Sequence, residues 1–112
     1  MKAAVLVVAL ALGAPWAEPA SAVAAMGTRS CAQWADARSQ PGSAERFSAE
    51  AWLVGFLSGM AAALDRDILA GITQQTLTNW MDNYCRQNPR SNTGEGSFQL
   101  VNELSARMKS RK

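Results

Sequence analysis

The hydrophobic pattern of this chain is dominated by residues 52–64, WLVGFLSGMAAAL, which carry no charge between Glu50 and Asp65. At 3.6 residues per turn, the large apolar side chains of this stretch fall on one broad arc of a helix. They are Trp52, Leu53, Phe56, Leu57, Met60 and Leu64. The pattern predicts a central helix whose large side chains form the core.

The opposite arc of this central helix is small and uncharged, where a surface helix normally shows Lys or Glu. Its members are Ala51, Val54, Gly55, Ser58, Gly59, Ala61 and Ala62. Each glycine costs roughly 1 kcal/mol against alanine in a helix interior, which favours a close approach of another backbone. We therefore predict that the first helix or a second chain covers this arc. We assign a protein-binding surface to Val54, Gly55, Ser58, Gly59 and Ala62.

Capping signals predict the ends of the helices. Ser30 and Gln33 form a capping box that begins a short helix. Its inward face is predicted to hold Cys31, Trp34 and Ala35. The central helix follows a Pro-Gly turn and begins either at Ser43 or, with Ser48 as its cap, just before Ala49; it is predicted to end near Leu64.

A third helix is predicted between Thr73, as its cap, and Pro89, which stops it. Its apolar arc is predicted to hold Leu77, Trp80, Met81, Tyr84 and Cys85, with Thr78, Asn79, Asp82 and Asn83 opposite. The connector before it, residues 65–72, is predicted to place Ile68, Leu69 and Ile72 in the core.

The last helix is predicted to begin near Phe98, after a flexible Ser-, Asn- and Gly-rich connector at residues 90–97. Its apolar side is predicted to hold Phe98, Leu100, Val101, Leu104 and Met108. No stretch alternates as a strand would. The fold class predicted is therefore all-α: a small bundle of one short and three longer helices.

The N-terminus predicts export. Lys2 precedes an apolar stretch, and the small-x-small pattern Ala20-Ser21-Ala22 follows, so residues 1–22 resemble a cleaved signal peptide and residues 23–112 a single helical domain. Because the apolar stretch is shorter than the roughly 20 residues of a spanning helix, we expect a periplasmic protein without a stable membrane anchor.

Two cysteines, Cys31 and Cys85, are the only ones in the chain. In an oxidising compartment two thiols are expected to pair, and closing this loop would stabilise the fold by about 4 kcal/mol in the entropic model. The cysteines lack the CxxC spacing of a redox pair, and the chain has no histidine for a metal site. A structural disulfide is therefore predicted.

The composition of the chain excludes most kinds of catalytic site. Without histidine, Ser-His and Cys-His catalysis are excluded, and paired carboxylates are left. The candidates are Asp65 with Asp67 and Glu45 with Glu50, none of them flanked by signs of a deep cleft. A formal net charge of +2 without a basic stripe argues against nucleic acid. We expect a non-enzymatic protein with no cofactor and no metal.

Five features resemble the HdeA/HdeB-like superfamily of small periplasmic proteins. They are the signal peptide, Cys31 with Trp34 three residues on, the Trp52-Leu53-Val54-Gly55 step, the Asp67-Ile68-Leu69-Ala70-Gly71-Ile72 connector, and Tyr84-Cys85-x-x-Asn88-Pro89. The resemblance implies an all-helical domain whose single disulfide bridges the first and penultimate helical segments. For the best-known members it implies an acid-activated chaperone that is a dimer near neutral pH.

Such a chaperone needs concealed apolar surface and a proton-sensitive lock. Without histidine the lock must be a carboxylate, and the candidates are Asp36, Asp65, Asp67, Asp82 and Glu103. The alternative function is that of a periplasmic immunity protein, which neutralises a type VI secretion toxin through a specific surface without an acid switch. Both alternatives predict a protein client or cognate protein as partner, and the first leaves a homodimer open.

Overall fold

The computed structural model describes residues 24–110, which fold into four helices. They are α1 (Cys31–Arg38), α2 (Ala44–Leu64), α3 (Gln74–Gln87) and α4 (Thr93–Ser110). Cys31 and Cys85 form a disulfide that ties the start of α1 to α3, with their Cα atoms 5.1 Å apart. The predicted all-α, disulfide-linked bundle of one short and three longer helices is thus confirmed. The predicted signal peptide, residues 1–22, lies outside the described residues.

The helices begin at the capping residues that the sequence indicates. Ser30 accepts a hydrogen bond from the Gln33 backbone while the Gln33 side chain accepts from the Ser30 backbone, so the capping box is complete. Ser43, rather than Ser48, caps α2 by accepting from Arg46 N. Thr73 caps α3 in the same way.

Helices α2 and α3 form the centre of the bundle, since each packs against the other three helices. Leu53, Leu57 and Met81 are fully buried between them, and Ile68 enters the core from the loop. Leu69 and Ile72 pack beside it, as predicted. Trp52, Phe56 and Met60 are half-buried at the margins of this core.

Two predicted core positions are wrong. Leu64 is 41% exposed because α2 ends there, at Asp65 in the left-handed conformation (φ 54°). In α1, Ala35 is exposed and Ala37 is buried instead, because Ala37 lies one turn from Trp34 on the side that packs against α2 and α3.

The polar arc predicted for α3 is also partly wrong. Asn79 and Asn83 are exposed as expected, but Thr78 is buried and Asp82 is half-buried. The reason is that α3 has neighbours on several sides, so its buried arc is wider than its apolar arc.

The flexible connector predicted at residues 90–97 does not exist as such, because α4 begins at Thr93. Asn92 caps the helix by accepting from Glu95 N. The two glycines that suggested flexibility are close-approach positions: a Cβ at Gly96 would lie 2.8 Å from Met81 Sδ, and one at Gly94 would lie 2.8 Å from Thr28 Cγ2. They allow α4 to pack against α3 and the N-terminal segment.

The segment before α1 is held on two helices. An isolated antiparallel bridge joins Ser30 to Asn92, and Thr93 N donates to Arg29 O. Further upstream, the indole of Trp52 donates to Met26 O at 2.7 Å and lies against Gly27. The N-terminal segment therefore crosses one edge of α2 and leaves the opposite side of that helix open.

Candidate functional site

The side of α2 that faces away from the core is open to solvent over the whole length of the helix. Seven exposed residues form it, none of them charged, and we call them the outer face: Ala44, Ser48, Ala51, Gly55, Ser58, Gly59 and Ala62. Phe47, which is 75% exposed, and half-buried Val54 flank it. Four of the five residues assigned to protein binding from the sequence lie on this face, and the fifth, Val54, lies at its edge.

The cover that the sequence predicted for this surface is not provided by the described residues. A Cβ built at Gly55 or Gly59 would meet nothing within 4 Å. Helix α1 packs on α2 from the core side, where Trp34, Ala37 and Ala49 are buried. Of the two predicted covers, α1 is therefore wrong, and a second chain stays a prediction.

Helix α2 is also the helix that meets the length and composition of a membrane span within residues 24–110. The helix has 21 residues, as expected for a start at Ser43, and so extends eight residues beyond the uncharged stretch at residues 52–64. Leu53 and Leu57, however, are fully buried against the other helices. One side of α2 is therefore already packed in this fold.

An aromatic row borders the outer face where α2 meets α4. Trp52 stacks on Phe56 with ring centroids 5.2 Å apart, and Phe56 meets Phe98 edge to face at 5.3 Å. Phe98 is 36% exposed at the end of this row, and Met26 is 84% exposed nearby on the segment that crosses Trp52. This edge adds apolar surface beside the outer face.

A charged cluster ties α1, α2 and α3 together on the other side of α2. Arg38 donates from Nη2 to Asp82 Oδ2 at 2.8 Å and from Nη1 to Glu50 Oε2. Glu50 also accepts from Arg46 Nε at 2.8 Å, and Trp34 Nε1 donates to Asp82 Oδ1 at 2.8 Å. We call Arg38, Arg46, Glu50 and Asp82 the ionic cluster. Because it joins three helices, it acts as a tie between them.

The ionic cluster lowers the pKa values of both carboxyl groups. Burial is the largest single effect and raises the pKa of Glu50, but hydrogen bonds and charge from Arg46 and Arg38 outweigh it and lower the pKa. For Asp82, burial likewise raises the pKa, and the hydrogen bonds from Arg38 and Trp34 reverse the shift. The hydrogen bond to Asp82 is the largest reason why the pKa of Arg38 is raised.

These directions fix how the cluster responds to pH. A carboxyl group whose pKa is lower in the folded state contributes stability above its unfolded-state pKa and loses it as pH falls through the folded-state value. Acidification therefore weakens the tie between α1, α2 and α3.

Of the five carboxylates considered as an acid lock, Asp82 is the one that lies in the ionic cluster. Glu103 is exposed and accepts from Trp80 Nε1 at 3.2 Å, while Asp36, Asp65 and Asp67 are exposed. The sequence did not identify Arg38 as the residue that joins the two carboxylates, or Glu50 as an acid-sensitive carboxylate. A signal was available, because Arg46 and Glu50 fall on the core-facing side of α2, where unpaired charges are costly.

A groove of about 510 Å³ lies over the disulfide, between α1 and α3. Trp34, Cys31 and Cys85 line it together with the ionic cluster residues Arg38, Arg46 and Asp82. Two of its cationic groups, Arg38 and Arg46, are bound to carboxylates, and the third, Arg86, donates to Asn83 Oδ1. Among residues 24–110 there is no group of three or more side chains suited to metal binding.

No family model, no curated protein and no solved structure matches this chain.

Proposed function

We propose that this chain is a periplasmic, non-enzymatic binding protein of the acid-chaperone type, which holds protein clients on the outer face of α2. The observation that carries the proposal is the combination of that exposed, uncharged face with an ionic cluster on the opposite side of the same helix. The first supplies apolar binding surface, and the second supplies sensitivity to acid.

The outer face suits protein partners of varied sequence. Its small side chains allow another backbone to come close, and its uncharged members avoid the cost of desolvating ions on contact. The Arg29 guanidinium meets the face at Ser48, near the N-terminal end of α2. Contiguous exposed apolar surface of this kind typically marks an interaction site. The aromatic row of Trp52, Phe56 and Phe98 extends the available surface along one edge.

Acid exposes a second apolar surface, on the core side of α2. Protonation of Glu50 and Asp82 removes the charges that bind Arg38, so α1 is held to α2 and α3 by packing and by the disulfide. As α1 loosens, the buried side chains of Trp34 and Ala37 become accessible to a client. The disulfide keeps the loosened chain compact, because it restricts the separation of α1 and α3.

A direct test measures client aggregation by light scattering after a shift to acid pH. The wild-type protein is expected to suppress aggregation, and Gly55→Glu, which places a charge in the middle of the outer face, is expected to lose most of that effect. Ala106→Glu is the matched control, since Ala106 is an exposed helical alanine in α4. If wild type suppresses aggregation no better than buffer, or if Gly55→Glu equals wild type, the proposal is wrong.

One observation favours the alternative of an immunity protein. The outer face is already open in the single folded chain, so binding there needs no acid activation. Tight binding to one secreted toxin at neutral pH, abolished by Gly55→Glu and unaffected by Asp82→Asn, would establish that function instead.

A further inference from the structure

The exposed side of α3 carries amides where a surface helix normally carries charges. Of its seven exposed residues, six are polar and uncharged, and the seventh is Arg86. The six are Gln74, Gln75, Thr76, Asn79, Asn83 and Gln87. Because lysine and glutamate are the usual residues of a solvated surface, this composition favours a partner that forms hydrogen bonds and carries no charge.

An open pocket of about 450 Å³ lies on this side of the molecule, between α3 and α4. We call it the α3–α4 pocket. Trp80 and Tyr84 form its aromatic part: both are half-buried, and they stack with ring centroids 5.4 Å apart and planes at 19° or less, namely 10°. Amide and carboxylate side chains surround the two rings: Asn83, Gln87, Asn88, Gln99 and Glu103. The volume lies in the range of about 300–1,000 Å³ that is typical of small-ligand sites.

Contacts with α4 and the loop before it hold the two rings in place. Trp80 Nε1 donates to Glu103 Oε2 at 3.2 Å, and the Tyr84 hydroxyl lies 2.6 Å from Ser91 Oγ. Tyr84 also lies against Gly96, where a Cβ would come within 2.8 Å of Tyr84 Cδ1. The aromatic surface is therefore ordered before a ligand arrives, which lowers the entropic cost of binding.

The amides around the rings are available for hydrogen bonds to a ligand. Within residues 24–110, the side chains of Gln87 and Gln99 have no hydrogen-bond partner. Asn88 donates from Nδ2 to Tyr84 O at 2.9 Å, which leaves its Oδ1 as an acceptor. The carboxylate of Glu103 can accept further bonds besides the one from the indole. The pocket thus offers donors and acceptors next to an aromatic surface.

This set of groups matches the chemistry of a sugar ring. The hydroxyl groups of a pyranose donate and accept as amides do, and its C–H groups pack on the negative face of an aromatic ring. Other ligand classes fit less well. A purely apolar ligand would cover the amides without bonding them, an anion would meet Glu103, and a cation would meet Arg86, which donates to Asn83 in the pocket wall.

We propose that the α3–α4 pocket binds a pyranose unit of a saccharide, whose C–H groups lie against Trp80 and Tyr84 and whose hydroxyl groups bond to Gln87, Gln99 and Glu103. The pocket is separate from the outer face of α2. The inference therefore goes beyond the proposed function and does not rest on it.

The test is a titration of the isotope-labelled, disulfide-bonded protein at neutral pH, followed in proton–nitrogen correlation spectra. Two soluble probes are used, a tetrasaccharide of N-acetylglucosamine and one of glucose. The indole signal of Trp80 and the side-chain amide signals of Gln87 and Gln99 are expected to shift and to saturate. Co-sedimentation with purified, insoluble peptidoglycan tests the same chemistry in a polymer.

A double variant, Gln87→Ala with Gln99→Ala, is expected to weaken binding about tenfold, because two hydrogen bonds to the sugar are lost. Both residues are exposed, so the fold should be retained, and circular dichroism checks this. The matched control is Gln75→Ala with Asn102→Ala. It removes two exposed amides from the same two helices outside the pocket and should bind as wild type does.

The three probes distinguish the source of the sugar. Saturable binding of either tetrasaccharide, weakened in the double variant, would identify a soluble saccharide as the ligand. Co-sedimentation with peptidoglycan alone, weakened in the same variant, would identify the cell-wall polymer. The proposal is overturned if none of the three probes binds, or if the double variant binds as tightly as wild type.

Discussion

The two sides of α2 belong to one helix but differ in burial and in charge. The inner side carries Leu53 and Leu57, which are fully buried by the other helices, and at its N-terminal end it carries the paired charges of Arg46 and Glu50. The outer side has only small uncharged residues and is open. The inner side should therefore determine folding, while the outer side determines association.

The largest expected difference in stability comes from truncating a buried side chain on the inner side of α2. Leu53→Ala removes a fully buried side chain in the middle of α2 and is expected to lower the free energy of unfolding by about 3 kcal/mol through lost burial and a residual cavity. The measurement is urea denaturation at neutral pH. Ser58→Ala on the outer face serves as the control and should change the value by less than about 0.5 kcal/mol. Equal effects would mean that the two sides are not distinct.

The second-largest effect on the free energy of unfolding is expected at the charged N-terminal end of the inner side. Glu50→Gln removes the carboxylate that binds both Arg38 and Arg46 and should lower the free energy of unfolding by about 1–2 kcal/mol at neutral pH, since the side chains are only 16–32% exposed. The loss should disappear in acid, because wild-type Glu50 is itself protonated once pH falls through its lowered folded-state pKa.

Glu45→Gln in the same helix is the control for this pH dependence. Glu45 is exposed in the first turn of α2, so its removal should cost only the interaction with the helix dipole, about 0.5 kcal/mol. Urea unfolding of both variants and wild type, from neutral pH to well below the ordinary carboxyl pKa of about 4, provides the comparison. A Glu50→Gln penalty that persists unchanged in acid would contradict the ionic cluster as an acid-sensitive tie.

A smaller effect of opposite sign is expected on the outer side. Gly55→Ala should raise the free energy of unfolding of the monomer by about 1 kcal/mol, because alanine is the better helix former and the added Cβ meets nothing within 4 Å. Gly96→Ala in α4 is the matched comparison and should be destabilising, since its Cβ would lie 2.8 Å from both Met81 Sδ and Tyr84 Cδ1. Thermal unfolding at low protein concentration measures both.

The sequence predicts the elements of this fold well because local chemistry determines them. Ser30, Ser43 and Thr73 cap helices through contacts within four residues, and the two cysteines have only each other as partners. The start of α4 is different. Gly94 and Gly96 have the local signature of a loop, although Asn92 caps the helix locally, and their close approach to Thr28, Met81 and Tyr84 requires glycine at both positions.

The candidate site, too, could be predicted only in part from the sequence. The small-residue arc of α2 follows from helical periodicity alone, so its members could be identified from the sequence. Its exposure could not, since that depends on where α1 and the N-terminal segment pack. The ionic cluster joins Arg38, Glu50 and Asp82 across as many as 44 positions of sequence, and no local pattern records which distant charges meet.

The smallest expected effect on stability is at the flank of the outer face. Phe47 is a large apolar residue, yet it is 75% exposed, so Phe47→Ala should change the free energy of unfolding by less than about 0.5 kcal/mol. The same substitution should weaken the suppression of client aggregation, because the ring adds exposed apolar area beside the outer face. Light scattering and urea unfolding of one preparation measure both quantities. Unchanged suppression would exclude Phe47 from the client-binding surface, and a large loss of stability would show that its ring packs against the bundle.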